Sequence, residues 1–194
     1  MGLDLDAAKI KIALLADPNS GYTQKEFLQD FGGTSTTPTS ESDIFKLKFH
    51  FSNKSTNEDP SYATDGSSGF DLRADVELPI VIKPSKTAVI PTGLFFNIPS
   101  NFEIQIRSRS GLAAKNQVIV LNAPGTIDAD YRGEIKIILI NHGETDFIVN
   151  KGDRVAQAII AFVHAKNIVN LIKVDDVSVD TNRGDGGFGS TGLR

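Results

Sequence analysis

Short alternations of apolar and polar residues recur from residue 45 onward, and they restrict the fold more than any other feature. The segments 45–51 and 102–106 alternate strictly, which is typical of strands with one buried face. No helix longer than two turns is needed after residue 45. Strands are predicted over 45–51, 77–83, 88–90, 94–98, 102–106, 118–121, 133–140, 146–149, 156–163 and 170–174. This all-β pattern is typical of a sandwich, a jelly roll or a barrel.

The two ends of the chain differ from this β region. Residues 1–42 contain a capping-box signal, which predicts a short helix at 24–31, and then a linker rich in Ser, Thr and Pro. We therefore predict an appendage and linker over 1–42, a β domain over 43–179 and a Gly-rich arm over 180–194. Because the arm has many glycines and little apolar surface, we expect it to be mobile until it binds a ligand.

Composition excludes several classes of function. The 194 residues include no Cys, so disulfides, thiolate metal sites and a Cys nucleophile are excluded. The three His residues lack zinc-hydrolase spacing, and the net charge of −4 argues against general binding to a nucleic-acid backbone. The longest apolar run is too short to span a membrane, and the N-terminus lacks the pattern of a secretory signal. We expect no membrane or nucleic-acid partner and a cytoplasmic location, or a nuclear or organellar one in a eukaryote.

Two segments contain residue types that bind phosphate. Arg109 and Ser110 follow a predicted strand and precede a helix-prone stretch, where a phosphate could bind. In the C-terminal arm, glycine backbone N–H groups could converge on an anion, Arg183 offers a forked cation, and Phe188 could stack on a base. Each segment alone also fits a simpler interpretation, as a solvated basic loop or a flexible terminal linker.

The segment 122–134 has a turn signal at Pro124 and Gly125, which predicts a β-hairpin. Its exposed backbone could bind the hydrogen-bonding edge of a base. Asp128 and Asp130 are two residues apart, so in an extended segment they would point the same way, and one could deprotonate a water. An acidic turn without chemistry is an equally good interpretation of these residues alone.

Three further polar residues need an explanation. Arg154 and Gln157 enter an otherwise apolar strand, where buried polar groups need each other or a ligand as partners. Asp71, in the first of the motifs, is a plausible acidic contact for a hydrated divalent cation.

Together and in this order, these segments resemble the five motifs of the trimeric deoxyuridine triphosphatases, the dUTPase family. The resemblance covers about residues 45–194. Two departures are mild, since Ser108 stands where many members have Pro, and Asp185 where many have another residue. The motifs are SGFDLRA at 68–74, RSRSGLA at 107–113, NAPGTIDADYRGE at 122–134, GDRVAQ at 152–157 and RGDGGFGSTG at 183–192.

The resemblance implies a jelly roll-like β-barrel that forms a homotrimer, with active sites shared between subunits. It also implies hydrolysis of dUTP to dUMP and pyrophosphate with Mg²⁺, by water attack on the α-phosphate. This reaction keeps uracil out of DNA and supplies dUMP for thymidylate synthesis. Residues 43–179 would then be the catalytic barrel, and residues 180–194 would close over the active site.

The resemblance also implies roles for individual residues. Asp128 would orient the attacking water, Arg154 would support that carboxylate, and Asp71 would contact Mg²⁺ through water. Tyr131 would pack under the deoxyribose and leave no room for a 2′-hydroxyl. The remaining substrate contacts implied are Arg109, Ser110, Gly111, Asn122, Gly125, Thr126, Ile127, Lys136, Gln157, Arg183, Phe188, Gly189, Ser190 and Thr191.

Two other classes of function stay open at this point. The dCTP deaminases share the fold, but they would need a different catalytic set, and the complete arm motif argues against them. A binding or regulatory protein that has lost catalysis is the second class. The presence of Asp128 and Tyr131 argues against it, although residues 1–42 leave room for a second role.

Overall fold

The computed structural model describes residues 48–164, 166, 169–177, 181–182 and 184–186. These residues are mostly β with one short helix, as the all-β prediction requires. Residues 1–42, with the predicted helix at 24–31, lie outside them. The strands are β1 (His50–Asn53), β2 (Phe70–Arg73), β3 (Ile80–Ile82), β4 (Thr87–Pro91), β5 (Leu94–Asn97), β6 (Phe102–Arg107), β7 (Val118–Val120), β8 (Gly125–Ile127), β9 (Lys136–Asn141), β10 (Phe147–Val149) and β11 (Arg154–Phe162), and the helix is α1 (Ser110–Asn116).

The strands form four antiparallel sheets over the described residues. Two sheets are pairs, β1 with β5 and β3 with β10. A third has the order β4-β9-β7, and the largest has the order β2-β11-β6-β8. Hydrogen bonds therefore do not close one continuous barrel in this part of the chain. Each sheet has only two to four short strands, so the connections between successive strands often cross from one sheet to another.

One apolar core joins the four sheets. Strand residues alternate between core and surface because the side-chain period of a strand is two. Ile104 and Ile106 of β6 face this core, as do Ile137 and Leu139 of β9. Burial of such a side chain stabilises the fold by roughly 1.5–3 kcal/mol relative to exposure, so this cluster is the main stabilising feature.

Asn141 is a polar residue at the end of β9 that is fully buried. Its amide group donates to the backbone carbonyls of Ile82 and Thr145, both at 2.8 Å. Its side-chain oxygen accepts the N–H of Gly143, also at 2.8 Å. The side chain thus bonds three backbone groups at the end of β9, where the chain turns towards β10 and the hydrogen bonds between strands stop.

The sequence predicted most of these strands but misplaced several. β4, β5 and β6 match the predicted strands closely. β2 and β8, of four and three residues, were not predicted. The predicted strand at 170–174 is wrong: these residues are irregular, and Leu171 is 91% exposed, with none of the described strands paired to it. In the predicted strand at 77–83, only Ile80–Ile82 are extended.

Within the described residues, no helix has the length and apolar character needed to cross a bilayer.

Candidate active site

Three of the five motifs meet in the four-stranded sheet. Asp71 of β2 lies opposite Gln157 of β11, and Gln157 lies opposite Arg107 of β6. Strand β11 therefore places the motif 152–157 directly between the motifs 68–74 and 107–113. Strand pairing brings together side chains that are far apart in the sequence, and the polar residues Arg154 and Gln157 find their partners here.

Asp71 is held between two arginines. Its Oδ1 accepts from Nε of Arg109 at 2.9 Å, and its Oδ2 accepts from Nη1 of Arg154 at 3.1 Å. Arg109 also donates from Nη1 to the backbone carbonyl of Arg154 at 2.8 Å. All three side chains are only partly buried. Two cations face one anion, so this arginine cluster keeps a positive charge that an anionic ligand can neutralise.

Ser108 and Gln157 connect this cluster to the next strand. Gln157 donates from Nε2 to the backbone carbonyl of Ser108 at 2.9 Å. The hydroxyl of Ser108 accepts the backbone N–H of Val120 at 2.9 Å. Ser108, which stands where many family members have Pro, therefore connects the motif 107–113 to β7 through its hydroxyl. Sequence reasoning noted Ser108 only as a departure, because its partner lies in another strand.

Helix α1 begins immediately after the arginine cluster. Arg109 is its N-cap in an extended conformation, and no side chain caps the first turn by a hydrogen bond. Ser110 and Gly111 are exposed, and a Cβ added at Gly111 would have no neighbour within 4 Å. Unused backbone N–H groups, a hydroxyl and two guanidinium groups thus lie close together. This set of donors suits phosphate oxygens.

The segment 122–134 connects two predicted strands, 118–121 and 133–140, which pair antiparallel as β7 and β9, as a hairpin requires. The connection is not a tight turn at Pro124 and Gly125, because β8 lies within it and pairs with β6 at the far edge of the four-stranded sheet. The chain therefore leaves one sheet, adds β8 to another and returns. The exposed Asn122 packs its amide nitrogen beside Gly125, where an added Cβ would be 3.0 Å away. Thr126 is exposed and Ile127 half-buried.

Asp128 and Asp130 are both exposed, but they do not lie in an extended segment as expected. The N–H of Tyr131 donates to the carbonyl of Asp128 at 3.1 Å, which closes a turn. Arg132 stabilises this turn by donating from Nη1 to the carbonyls of Ala129 and Tyr131, at 2.7 and 2.9 Å. The turn overrides the alternation that would have pointed both carboxylates the same way.

Sequence reasoning treated two residues at the end of this segment and just beyond it differently. Lys136, a predicted substrate contact, is half exposed, and its Nζ lies 3.5 Å from Oε2 of Glu134. Glu134 itself was not singled out, although its carboxylate accepts backbone N–H groups from a turn 41 and 42 residues away. No local pattern signals such a contact.

Within the part of the chain described here, no hydrogen bond or ion pair joins the arginine cluster to the turn at Asp128. Arg154 pairs with Asp71, and Asp128 stands free of it. Five of the predicted contacts lie outside the described residues, so their placement stays a prediction: Arg183, Phe188, Gly189, Ser190 and Thr191.

The donors fit Mg²⁺ only through water. The described residues contain no group of three His, Cys, Asp or Glu side chains that could hold a metal ion alone. Two guanidinium groups beside Asp71 disfavour a bare divalent cation there, because like charges repel. Each carboxylate oxygen still has capacity to accept a hydrogen bond from a metal-bound water. An ion that keeps several waters and binds mainly to phosphates, as Mg²⁺ does, suits this arrangement.

Comparison with known proteins gives the family. The dUTPase family model matches residues 55–192. The deoxyuridine 5′-triphosphate nucleotidohydrolase of Chlamydia muridarum is 51% identical over 146 residues, covering 75% of this chain and 99% of the relative. The dUTPase of Staphylococcus bacteriophage 80alpha, solved with dUPNHPP, has the same fold at a TM-score of 0.68 and 23% identity, covering 76% of this chain and all of that one. A dUTPase of phage phi11, solved with details of a structural Mg(II) ion, has a TM-score of 0.59 and 21% identity, covering 67% and 98%. Because the family match spans most of the sequence and includes all five motifs, this chain belongs to the dUTPase family.

Proposed function

We propose that this protein hydrolyses dUTP to dUMP and pyrophosphate. The observation that carries the proposal is the arginine cluster, where Arg109 and Arg154 outnumber Asp71 beside the open start of α1. A positively charged group of donors at this point suits a triphosphate, and the sequence relatives are named for action on deoxyuridine triphosphate. The reaction would keep uracil out of DNA and supply dUMP for thymidylate synthesis.

In the proposed reaction, Asp128 orients a water and takes its proton. The water oxygen bonds to the α-phosphorus, the bond from that phosphorus to the bridging oxygen breaks, and pyrophosphate leaves with the electron pair. An exposed carboxylate at the start of a closed turn suits this role, because the turn holds its backbone and the side chain is open to water. The resemblance implies that Arg154 supports this carboxylate. Since Arg154 pairs with Asp71 in its own chain, the Asp128 that it supports would lie outside the arginine cluster.

The proposed phosphate contacts are Arg109, Ser110, Gly111 and Gln157. They would stabilise the charge that develops on the phosphate oxygens. One N–H of the Gln157 amide is engaged by the Ser108 carbonyl, and the other remains for a phosphate. Mg²⁺, when bound, would neutralise phosphate charge, with Asp71 accepting from its waters.

The proposed nucleoside contacts belong to the segment 122–136. Asn122 and the backbone of Gly125–Ile127 would bind the uracil edge, with Thr126 exposed beside them. Lys136 is a further proposed substrate contact. The amino group of cytosine would face hydrogen-bonding groups arranged for the carbonyl of uracil. Such a mismatch costs more binding energy than the loss of a methylene contact, so cytosine should be rejected.

We further propose a homotrimer with shared active sites. β2 and β8 are the outer strands of the four-stranded sheet, so Asp71 and the strand leading to Asp128 are three strand spacings apart. At ~4.8 Å per spacing, this separation is about 14 Å across the sheet. Combining the arginine cluster of one chain with the Asp128 turn of another would complete a site, as the family resemblance implies.

The remaining organisation is proposed from the resemblance. Residues 1–42 would be an appendage and linker, and residues 43–179 the catalytic domain, completed as a jelly roll-like barrel. Residues 180–194 would form an arm that closes over the site. Phe188 would cover the uracil, while Arg183, Ser190 and Thr191 would clamp the terminal phosphates beside Gly189. A cytoplasmic location, or a nuclear or organellar one in a eukaryote, would suit this reaction.

The deciding experiment measures pyrophosphate release from dUTP, dTTP, dCTP and UTP, with ammonia release from dCTP measured in parallel. We expect Mg²⁺-dependent pyrophosphate release from dUTP and much slower release from the other three. Ammonia from dCTP would indicate a deaminase instead. Binding of dUTP without pyrophosphate release would indicate a regulatory protein on the same scaffold.

A further inference from the structure

We propose that Gly133 and Glu134 are positioning residues that set the choice between deoxyribose and ribose by fixing the ring of Tyr131. This inference rests on the proposed function and on the proposed role of Tyr131 at the sugar. It adds a physical reason why the ring keeps its place, although the side chain is 43% exposed.

Two hydrogen bonds hold Tyr131 at its two ends. Its hydroxyl donates to the backbone carbonyl of Glu134 at 3.0 Å. Its backbone N–H donates to the carbonyl of Asp128 at 3.1 Å. An exposed ring without the hydroxyl bond would sample several rotamers, so that contact favours one orientation. The backbone bond fixes the turn from which the ring projects, and the same turn includes Asp128.

Gly133 provides the surface against which the ring lies. A Cβ added there would collide with Tyr131 Oη, and it would lie 2.5 Å from Cζ and 3.0 Å from Cε2 of the ring. Real Cβ atoms do not approach so closely, so any side chain at this position displaces the ring or the loop. Glycine permits the ring to lie here because of the close approach, and a Cβ would move the ring from this place.

Glu134 fixes the carbonyl to which the tyrosine donates. Its Oε1 accepts the backbone N–H of Thr92 at 3.2 Å and of Gly93 at 2.9 Å. Bonds from two backbone N–H groups to one ionised carboxylate are stronger than neutral hydrogen bonds. Only 22% of this side chain is exposed. The carboxylate therefore anchors the Tyr131 loop to the turn between β4 and β5.

The backbone that follows strengthens the same attachment. The hydroxyl of Thr92 donates to the carbonyl of Ile135 at 2.7 Å, and the N–H of Ile135 donates to the carbonyl of Leu94 at 2.8 Å. Thr92 and Ile135 are buried in the core. A rigid, buried turn thus supports Glu134, and Glu134 supports the ring. If this chain of contacts is loosened, the ring can move away and leave space for a 2′-hydroxyl.

The test compares kcat/KM for dUTP with kcat/KM for UTP in Gly133→Ala, Glu134→Ala and Tyr131→Phe. We expect the dUTP-to-UTP ratio to fall about tenfold in each, because each variant disturbs a contact that holds the ring at the sugar; tenfold corresponds to ~1.4 kcal/mol of lost discrimination. Glu134→Gln keeps one acceptor oxygen, so it should recover part of the ratio. A ratio is insensitive to the fraction of folded enzyme, so a purely structural role would not change it.

Matched controls separate this inference from the proposed function. Gly66→Ala, at a glycine with no neighbour within 4 Å, should leave the ratio unchanged, and so should Asp130→Ala at an exposed position of the same turn. Tyr131→Ala should lower the ratio most. An unchanged ratio in Gly133→Ala and Glu134→Ala, with a lowered ratio in Tyr131→Ala, would overturn the inference and leave the function intact.

A structural measurement decides the case in which activity fails. Crystal structures of Gly133→Ala and Glu134→Ala should show the Tyr131 ring displaced and its hydroxyl separated from the Glu134 carbonyl. A ring that keeps both hydrogen bonds in these variants would refute the positioning role, whatever the substrate proves to be. Absence of pyrophosphate release from dUTP by the unaltered protein would refute the proposed function separately.

Discussion

Side chains in this protein act mostly through the backbone groups and partners that they hold in place. Asp71 orients Arg109 and Arg154, and the half-exposed ion pairs add little stability of their own, about 0–1 kcal/mol each. Asn141 satisfies three backbone groups at the end of β9. The proposed base Asp128 differs from both, because its carboxylate is exposed and open to solvent.

Asp128→Asn should abolish most turnover of dUTP without loss of fold. The amide keeps the shape of the carboxylate and loses its basicity, so we expect kcat to fall by roughly 10²–10⁴. A nonhydrolysable dUTP analogue should bind with nearly unchanged Kd in a calorimetric titration.

Asp130→Asn is the matched control, because this exposed carboxylate lies in the same turn. It should retain most of the activity. Near-normal turnover in Asp128→Asn, or a larger loss in Asp130→Asn, would remove Asp128 from the proposed role.

Asn141→Ala should destabilise the fold strongly. It leaves the carbonyls of Ile82 and Thr145 and the N–H of Gly143 without their partner. Buried backbone groups left in this way cost roughly 2–4 kcal/mol together. Urea unfolding should show a lower midpoint, while Asn97→Ala, at an exposed end of β5, should shift it little. Equal midpoints in the two variants would show that water replaces the amide.

Strand pairing determines what the individual residues can reach. β2 and β11 approach each other so closely at Gly69 that an added Cβ would collide with the carbonyl oxygen of Ala158. It would also lie 2.8 Å from Cγ1 of Ile159. Because the neighbour is backbone, the clash cannot be relieved by a change of rotamer. This close approach precedes Asp71 by two residues, so it also sets the position of the arginine cluster.

Gly69→Ala should separate β2 from β11 and disturb the arginine cluster. Overpacking of this kind costs roughly 1–3 kcal/mol, and we expect the KM for dUTP to rise as well. Gly66→Ala, where the Cβ would meet open space, should change neither the unfolding midpoint nor KM. Thermal unfolding and steady-state kinetics on both variants provide the comparison. Two indistinguishable variants would mean that the strands shift freely to admit the methyl group.

Local patterns predicted the strands that have both a clear alternation and a buried face. β6 is such a case, with Ile104 and Ile106 inward and polar residues outward. The prediction was wrong at 170–174, where the apolar residues pair with none of the strands that the structure describes. At 122–134 the flanking strands pair as a hairpin requires, but the pairing of β8 with β6 was not predicted, since it depends on a sheet formed by distant segments.

The candidate site shows the same limit. The motifs named Asp71, Arg109 and Arg154, but nothing local indicates that one carboxylate lies between two guanidinium groups. Asp71 and Arg154 are 83 residues apart, and their contact depends on the register of β2 against β11. The anchoring role of Glu134 was missed for the same reason.

The whole molecule is proposed to work only as an assembly. The arginine cluster and the Asp128 turn lie at opposite edges of one sheet, which favours a site shared between chains, and the family resemblance implies three. We therefore predict a particle of about three times the 20.9 kDa chain mass in light scattering. Deletion of residues 1–42 should preserve both this mass and dUTP hydrolysis, since all five motifs lie downstream. A fully active monomer would contradict the shared site.

The exposed apolar side chains at 169–177 have a consequence for how this protein reaches its native state. Val169, Leu171, Ile172, Val174 and Val177 are all open to solvent in the single chain. If the chain assembles as proposed, a folded subunit that has not yet met its partners would expose these apolar side chains, and non-native contacts between them would lead to aggregates. The yield of active protein after dilution from denaturant should therefore be highest at an intermediate protein concentration. At low concentration the subunits meet too rarely to assemble, and at high concentration they aggregate.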